Sequence, residues 1–239
     1  MRDETVAQLL RLNREFYQTF AQPFAETRQR LQPGVVRVLK GLSQDASILD
    51  LGCGNGQLAH QLARQSHRGP YLGLDASAEL LAAARRDCPL PQAQFLEADL
   101  ADPTWTQGLP SPFDHILAFA VLHHLPGQKL RTRVATEFRR LIADHGRLTL
   151  SIWDFMASER LRKRIVPWDT LDLDSSDVDA GDYLIDWRRG GLGLRYVHHF
   201  TPEELATLAT QAGFSVKEHF HADGEGGRLG LYQVWEPIL

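Results

Sequence analysis

Between residues 47 and 152 the chain alternates short apolar runs with amphipathic stretches, a pattern few folds accommodate. The runs 47–51, 71–75, 93–97, 115–119 and 147–152 have strand length, and 57–65, 78–87 and 129–144 between them carry apolar residues at helical spacing. Strands separated by helices predict parallel neighbours joined by right-handed crossovers. Two more strand patterns, 214–219 and 229–235, follow a helix predicted over 201–212, where Thr201 and Glu204 form a capping box and Gly213 ends the helix. The expectation is an α/β, doubly wound, mostly parallel seven-stranded sheet with its ligand crevice at the strand carboxyl ends.

The flanks add to this core. Val6, Leu9, Leu10, Leu12, Phe16, Phe20 and Phe24 recur at near-helical spacing, which predicts an N-terminal helical extension over residues 1–32, broken around Pro23. A short helix is expected over 33–42, with Pro33 near its start and Gly41 near its end. After Trp153 the alternation stops, and about 155–192 reads as an insertion after the fifth strand, basic at first (Arg160, Arg162, Lys163, Arg164) and then strongly acidic. Regularity returns over 194–200.

Composition narrows the function classes. A net charge of -4 argues against strong non-specific nucleic-acid binding, which needs a basic face to displace counterions. The first residues interrupt apolar positions with charge every few places, unlike a signal peptide or a membrane span, so no membrane association and a cytoplasmic location are expected. Cys53 and Cys88 lie far apart without metal-ligand spacing, so no metal site and no disulfide framework are expected.

The run Ile48-Leu49-Asp50-Leu51 leads straight into Gly52-Cys53-Gly54-Asn55-Gly56 and then a helix. Glycines on the first strand-to-helix turn let backbone N–H groups approach a ligand, which points to a nucleotide-like cofactor. Asp75 ends the second strand, where a carboxylate can accept from two ribose hydroxyls, and Asp99 ends the third, where one can accept from an adenine amine. Helix capping is the alternative for either acid, above all for Asp75 before Ala76-Ser77. A dinucleotide-binding oxidoreductase would also use a glycine turn and an acid, but the spacing here is GxGxG rather than GxGxxG.

In this order and spacing, LDLGCGNG, YLGLDAS, FLEADL and FDHILAFAVLHHL resemble the successive motifs of class I S-adenosylmethionine-dependent methyltransferases. The resemblance implies a Rossmann-like methyltransferase domain over 33–239 and S-adenosyl-L-methionine as cofactor. Asp50, Gly52 and Gly54 would surround its methionine end, Asp75 would bind the ribose, Asp99 with Leu100 would hold the adenine, and Ala118 and Phe119 would lie beside the sulfonium. Asn55, Gly56 and Ala76 are expected to bind the cofactor with them, and Tyr17 to cover it from the N-terminal helix.

The ends of the chain resemble one branch of that family. Tyr17, Phe20, Phe24, Thr27 and Arg28 before the first strand, Ile152-Trp153 after the fifth, Val166-Pro167-Trp168 in the insertion and Arg195-Tyr196-Val197-His198-His199-Phe200 beyond it are similar to the tRNA methyltransferases that esterify 5-carboxymethyluridine at the wobble position. This implies a carboxylate acceptor and a tRNA partner, and the eukaryotic branch works with a small zinc-containing activator protein. Arg195 is the first candidate to hold a carboxylate, because a guanidinium does so bidentately. His198 or His199 is the second, and His124, after the fourth strand, is a candidate base or donor. Trp153 and Trp168 could stack on a base. Each has a plainer alternative: a strand facing solvent for 195–200, one buried and one surface residue for His123 and His124, packing for the tryptophans, a solvated helix face for the basic run. Seven aspartates between 169 and 186, with no basic residue among them, would repel a phosphate backbone. Methylation of a small molecule at O or N is the alternative enzymatic reading, and an S-adenosylmethionine-binding partner subunit the non-enzymatic one.

Overall fold

The computed structural model describes residues 1–20, 30–224 and 226–239. The expected break at Pro23, and Phe24, Thr27 and Arg28, lie outside the described residues. In chain order the elements are α1 (Asp3–Thr19), α2 (Pro33–Leu39), β1 (Ile48–Leu51), α3 (Gln57–Arg64), β2 (Tyr71–Asp75), α4 (Ala78–Asp87), β3 (Ala93–Glu97) and β4 (Phe113–Phe119). After these come α5 (Gln128–Leu141), β5 (Ile142–Trp153), α6 (Glu159–Arg162), β6 (Ile165–Val166), β7 (Asp182–Trp187), β8 (Gly193–His198), α7 (Pro202–Gln211), β9 (Phe214–Ala222) and β10 (Gly230–Pro237).

The main sheet runs β3-β2-β1-β4-β5-β10-β9, parallel from β3 to β5 and antiparallel at β10 and β9. β1 is central and buried along its whole length, which its apolar run requires. Its side chains alternate between two layers. Leu49 and Leu51 pack with Val134 and Phe138 of α5 and Leu205 of α7, while Ile48 packs with Val35 of α2, Leu58 of α3 and Leu81 of α4. Helices therefore cover both faces, and the strand order reverses beside β1, opening the crevice at its carboxyl end.

Two segments differ from the sequence reading. The helix expected over 129–144 ends at Leu141, and Ile142 instead pairs with Phe113 before a register shift to His115 opposite Arg147. Gly146 permits this bulge, since a Cβ there would stand 2.9 Å from the Asp114 carbonyl. The run 193–198 joins neither side of the main sheet but forms a separate antiparallel sheet in the order β6-β7-β8. β7 was hidden in the acidic stretch: Asp182 and Asp186 interrupt an alternation whose Leu184 and Ile185 are buried. The added sheet thus extends to His198, past the expected limit near 192.

α1 docks on β8 through a polar side chain. Asn13 is buried, its Oδ1 accepts from the Tyr196 N–H at 2.8 Å, and its Nδ2 donates to the carbonyls of Tyr196 at 3.1 Å and His124 at 3.2 Å. At roughly 1 kcal/mol net each, three such bonds fix the helix rotation that the apolar stripe alone leaves loose. Phe16, Leu9 and Thr5 share the buried face. This docking carries Tyr17 over the crevice.

Four of the seven aspartates in the acidic stretch have cationic partners. Asp177 pairs with Arg2, Asp179 with the N-terminal amine and Arg131, Asp182 with Arg131 and His198, and Asp186 with Arg188. These partners come from the N-terminus, α5, β8 and the residue after β7, so the fold offsets part of the repulsion of phosphate expected from the sequence.

Candidate active site

A cleft of about 530 Å³ opens at the carboxyl ends of β1, β2, β3 and β4 and is roofed on one side by α1. Its volume lies in the range of small-molecule sites. The floor is the glycine turn. Gly52 has φ +70°, and a Cβ there would meet Val121 at 2.7 Å, so only glycine fits. The N–H groups of Gly52 and Cys53 donate to the Leu74 carbonyl at 2.7 and 3.0 Å, tying the turn to β2. Gly54, at φ +55°, leaves open space where a Cβ would be, and its N–H donates to Asp75 Oδ2 at 2.9 Å. Asn55 also lines the cleft, whereas Gly56 is turned into the core, facing Ala84 and Phe95 at the start of α3.

Asp75 does not cap α4; Ser77 does, accepting from the Leu80 N–H at 3.3 Å. The Asp75 carboxylate takes one backbone N–H per oxygen, from Gly54 and from Ser77, both at 2.9 Å, and burial raises its pKa above the usual carboxylate range. The carboxylate also lines the cleft. Ala76 stands beside it. Asp50 lies deeper, accepting from the Tyr71 hydroxyl at 2.5 Å, and burial lifts its pKa to about 7.

At the other side, Asp99 and Leu100 line the cleft as expected. Asp99 Oδ1 accepts from the Ala101 N–H at 2.9 Å, and Oδ2 pairs at 2.8 Å with Arg14, which reaches across from α1. Phe119 lines the cleft, but Ala118 is fully buried among the α5-side core residues. Alternation along β4 makes this necessary, since neighbours on a strand face opposite layers. The place expected for Ala118 is taken by Ala120, held at φ +58° with its N–H donating to Ser151 Oγ at 3.1 Å.

Beyond Phe119 the cleft ends on Tyr17, His124 and Trp153. The Tyr17 hydroxyl lies 2.7 Å from His124 Nε2, and His124 Nδ1 lies 3.4 Å from the Tyr196 carbonyl, an arrangement in which Nδ1 carries a proton. Arg195 is buried behind them, its guanidinium 4.5 Å from the Trp153 ring centroid, between Phe16 and Trp187, and bonded to the Tyr17 hydroxyl. Burial lowers its pKa and the Tyr17 contact opposes that shift. Arg195 therefore reaches the cleft through Tyr17 rather than directly. His123 is buried, so the pair divides into one core and one cleft residue.

The remaining expectations need correction. His198 is fully buried away from the cleft, with Nδ1 2.6 Å from Asp182 and Nε2 2.8 Å from Glu204. Burial opposes its charge, yet these two carboxylates hold its pKa above the usual imidazole value. His199 pairs with Asp154 at 3.1 Å and stacks edge-on to Phe155, also outside the cleft. Successive residues here face opposite ways, His198 toward Asp182 of β7 and Glu204 of α7, and His199 toward the turn after β5. Trp168 begins a short 3-10 turn and does not line the cleft. Residues that sequence reasoning passed over also line it: Arg14, and Asp223, Gly224, Leu229, Gly230 and Tyr232 at the β9–β10 turn. Asp223 joins that turn to α2, accepting from the Gly34 N–H at 2.8 Å and the Tyr232 hydroxyl at 2.6 Å. Only the glycines at 224, 226 and 227 hinted at it.

Among the described residues no group of three His, Cys, Asp or Glu side chains could hold a metal ion, and no helix is long and apolar enough to cross a membrane. The methyltransferase-domain family matches residues 49–148. A protein of Encephalitozoon cuniculi named as a methyltransferase is 30% identical, over 85% of this chain and 87% of its own length. The tRNA (carboxymethyluridine(34)-5-O)-methyltransferase of Schizosaccharomyces pombe is 26% identical over 86% of this chain and 89% of its own. Other relatives are longer, and the chain spans between 25% and 54% of their lengths. Among solved structures, an S-adenosylmethionine-dependent methyltransferase of Methanosarcina mazei superposes with a TM-score of 0.66 at 25% identity, covering 87% of this chain and 99% of that one. A glycine turn at the end of β1, an acid at the end of β2 and relatives matched almost end to end agree: the chain belongs to the S-adenosyl-L-methionine-dependent methyltransferases and is an enzyme of the class I, Rossmann-like fold.

Proposed function

We propose that this enzyme methylates a carboxylate oxygen, that of 5-carboxymethyluridine at the wobble position of tRNA. The observation that carries the reading is the extent of the likeness to the Schizosaccharomyces pombe enzyme, which covers 86% of this chain and so reaches beyond the methyltransferase domain matched at 49–148. The acceptor end of the cleft is chemically suited to a carboxylate.

Bound in the cleft, S-adenosyl-L-methionine supplies a methyl group on a sulfonium, so that a C–O bond forms as the C–S bond breaks and no proton is released. The residues present fit that group. Asp75 offers two free lone pairs to the ribose hydroxyls, Asp50 a carboxylate to the methionine amine, and the open side of Gly54 a close backbone approach, with Asn55 and Ala76 alongside. Leu100 would pack against the adenine, and Asp99 would accept from its amine once Arg14 shares or releases Oδ2. Phe119 and Ala120 border the reacting methyl group.

An ionised carboxylate needs no general base. The enzyme has to hold it in line, and positioning of this kind supplies roughly 7 to 11 kcal/mol. The Tyr17 hydroxyl is the donor that meets it. In the neutral ring the Tyr17 O–H donates to His124 Nε2; if His124 takes up a proton from solvent as the carboxylate enters, Nε2–H donates to the Tyr17 oxygen, the Tyr17 O–H turns to the acceptor, and Arg195 behind Tyr17 adds positive charge. Arg195 and Tyr17 are thus positioning residues, and His124 fixes the hydroxyl rotor instead of removing a proton. Methylation of a small free carboxylic acid is the second reading, favoured by the chain's net charge of -4.

The test is incubation of the enzyme with methyl-labelled cofactor and either tRNA carrying 5-carboxymethyluridine or a panel of small carboxylic acids and phenols. Alkali-labile label in the tRNA is the expected result. Label entering only the small molecules overturns the tRNA reading.

A further inference from the structure

The added sheet carries a second concavity, of about 410 Å³, lined by Glu159, Arg160, Lys163, Arg164 and Arg188. Four cations face one carboxylate there, in a chain whose net charge is -4. The first three cations are close in sequence, but Arg188 arrives from the far end of β7, so the fold and not a charge run assembles the patch. Lys163 pairs with Glu159 at 2.7 Å and Arg188 with Asp186 at 2.6 Å. Among the described residues Arg160 and Arg164 make no ion pair, and their charge is uncompensated locally.

Two side chains, Trp187 and Arg195, lie between the patch and the acceptor end. The Asp186 N–H donates to the Arg164 carbonyl at 3.0 Å, which seats Arg164 against the end of β7. The next residue, Trp187, meets Phe16 edge-on at 5.7 Å between ring centroids and lies 5.7 Å from the Arg195 guanidinium. Arg195 in turn lies 4.5 Å from Trp153, which lines the cleft. A path of aromatic and guanidinium groups therefore joins the basic concavity to the place where the methyl group is transferred.

We infer that this concavity is a docking groove for the phosphate backbone of an RNA whose target nucleoside occupies the acceptor end of the cleft. The inference rests on the carboxymethyluridine reading for the identity of that nucleoside, not for the groove itself. Three of the four cations are arginines, whose planar forks match phosphate bidentately. At the cleft end of the route Trp153 lines the pocket and can stack on an unstacked base, which single-stranded loops present. Of the seven aspartates, Asp177, Asp179 and Asp182 are held away from it by Arg2, Arg131 and the N-terminal amine.

The experiment compares the full-length wild type with Arg160→Glu/Arg164→Glu, two positions outside the cleft, after equal cofactor affinity shows that the variant is folded. Binding of an anticodon stem–loop RNA is measured across a salt series, and methyl transfer is measured to that RNA carrying 5-carboxymethyluridine and to the free nucleoside. The groove predicts RNA affinity lower by about tenfold or more at low salt and a log–log salt slope shallower by roughly 1.4 to 1.8, at 0.7 to 0.9 per phosphate contact. Transfer to the free nucleoside is expected to be equal in the two proteins. Equal RNA affinity and equal slope overturn the groove even if the RNA is methylated. Preferential binding of polyglutamate or of phosphatidylserine vesicles, lost in the variant while RNA binding is not, overturns it in favour of those partners. If neither RNA nor nucleoside gains a methyl group but the variant still loses RNA affinity and slope, the groove stands and the carboxymethyluridine reading fails.

Discussion

The two ends of the cleft are built differently. The cofactor end rests on backbone: Gly52, Gly54 and Asp75 are linked by main-chain hydrogen bonds within two adjacent strands and the turn between them. The acceptor end rests on side chains brought from three distant parts of the chain, Tyr17 on α1, His124 after β4 and Arg195 on β8. Chemistry common to a family can sit on the first kind of scaffold, while specificity can be rebuilt on the second without disturbing the sheet.

If that division holds, damage at one end should leave the other intact. The largest effect is expected from Asp75→Ala, which removes the carboxylate proposed to accept from both ribose hydroxyls and the anchor of the Gly54 N–H. Charge-assisted bonds are worth about 1.5 to 3 kcal/mol each, so cofactor affinity measured by calorimetry should fall by roughly 100-fold or more. A loss under about fivefold would mean that the cofactor end does not depend on this carboxylate.

Asn13→Ala should come next, acting on stability. It strands the Tyr196 N–H and carbonyl in a buried interface, at a cost of about 2 to 3 kcal/mol, and Tm should fall by roughly 4 to 10 °C. Cofactor affinity should suffer much less than methyl transfer, because α1 positions the acceptor end. An unchanged Tm would show that apolar contacts alone hold α1.

Asp50 gives a smaller effect that titration can resolve. With its pKa at about 7, the carboxylate is largely protonated below that pH and cannot pair with the cofactor's ammonium group. Cofactor affinity should therefore rise as pH increases through 7. Near pH 7 binding should release a fraction of a proton, seen as a dependence of the calorimetric heat on buffer ionisation enthalpy. No proton release would place Asp50 outside the binding site.

The smallest effect concerns His198. Burial resists its charge, but Asp182 and Glu204 raise its pKa above the unfolded value. The protonated form therefore stabilises the fold fully below the unfolded pKa of about 6.5, and that contribution is lost as pH rises through the folded pKa. His198→Gln should cost more stability at about pH 6 than at about pH 9 in denaturant unfolding, with methyl transfer nearly unchanged. A large loss of activity at constant stability would return His198 to the active site.

The same contrast explains what the sequence disclosed. Strand and helix periods, the glycine turn and the acids at strand ends are local patterns, so β1 to β5, Gly52, Gly54, Asp75 and the crevice were legible. Ala118 was assigned to the cleft in place of Ala120 because a motif names a stretch, while the pleat decides which of its residues faces the ligand. Asn13 and Asp223 carry no motif; each matters through a partner, Tyr196 or Gly34, more than a hundred positions away, and only the fold brings these together. The acidic stretch looked like a solvated loop because its charges concealed β7 and its cationic partners lay on other elements.

Tyr17 is where the two ends meet, since the sequence reading set it over the cofactor and its hydroxyl contacts join it to His124 and Arg195. Tyr17→Phe keeps the ring and removes only the hydroxyl, so cofactor affinity by calorimetry and single-turnover methyl transfer to the carboxylate acceptor should separate the roles. The account predicts affinity within about twofold of wild type and transfer slower by roughly tenfold or more, the cost of one charge-assisted hydrogen bond. Cofactor affinity falling as far as in Asp75→Ala, with transfer from the bound state unchanged, would contradict it.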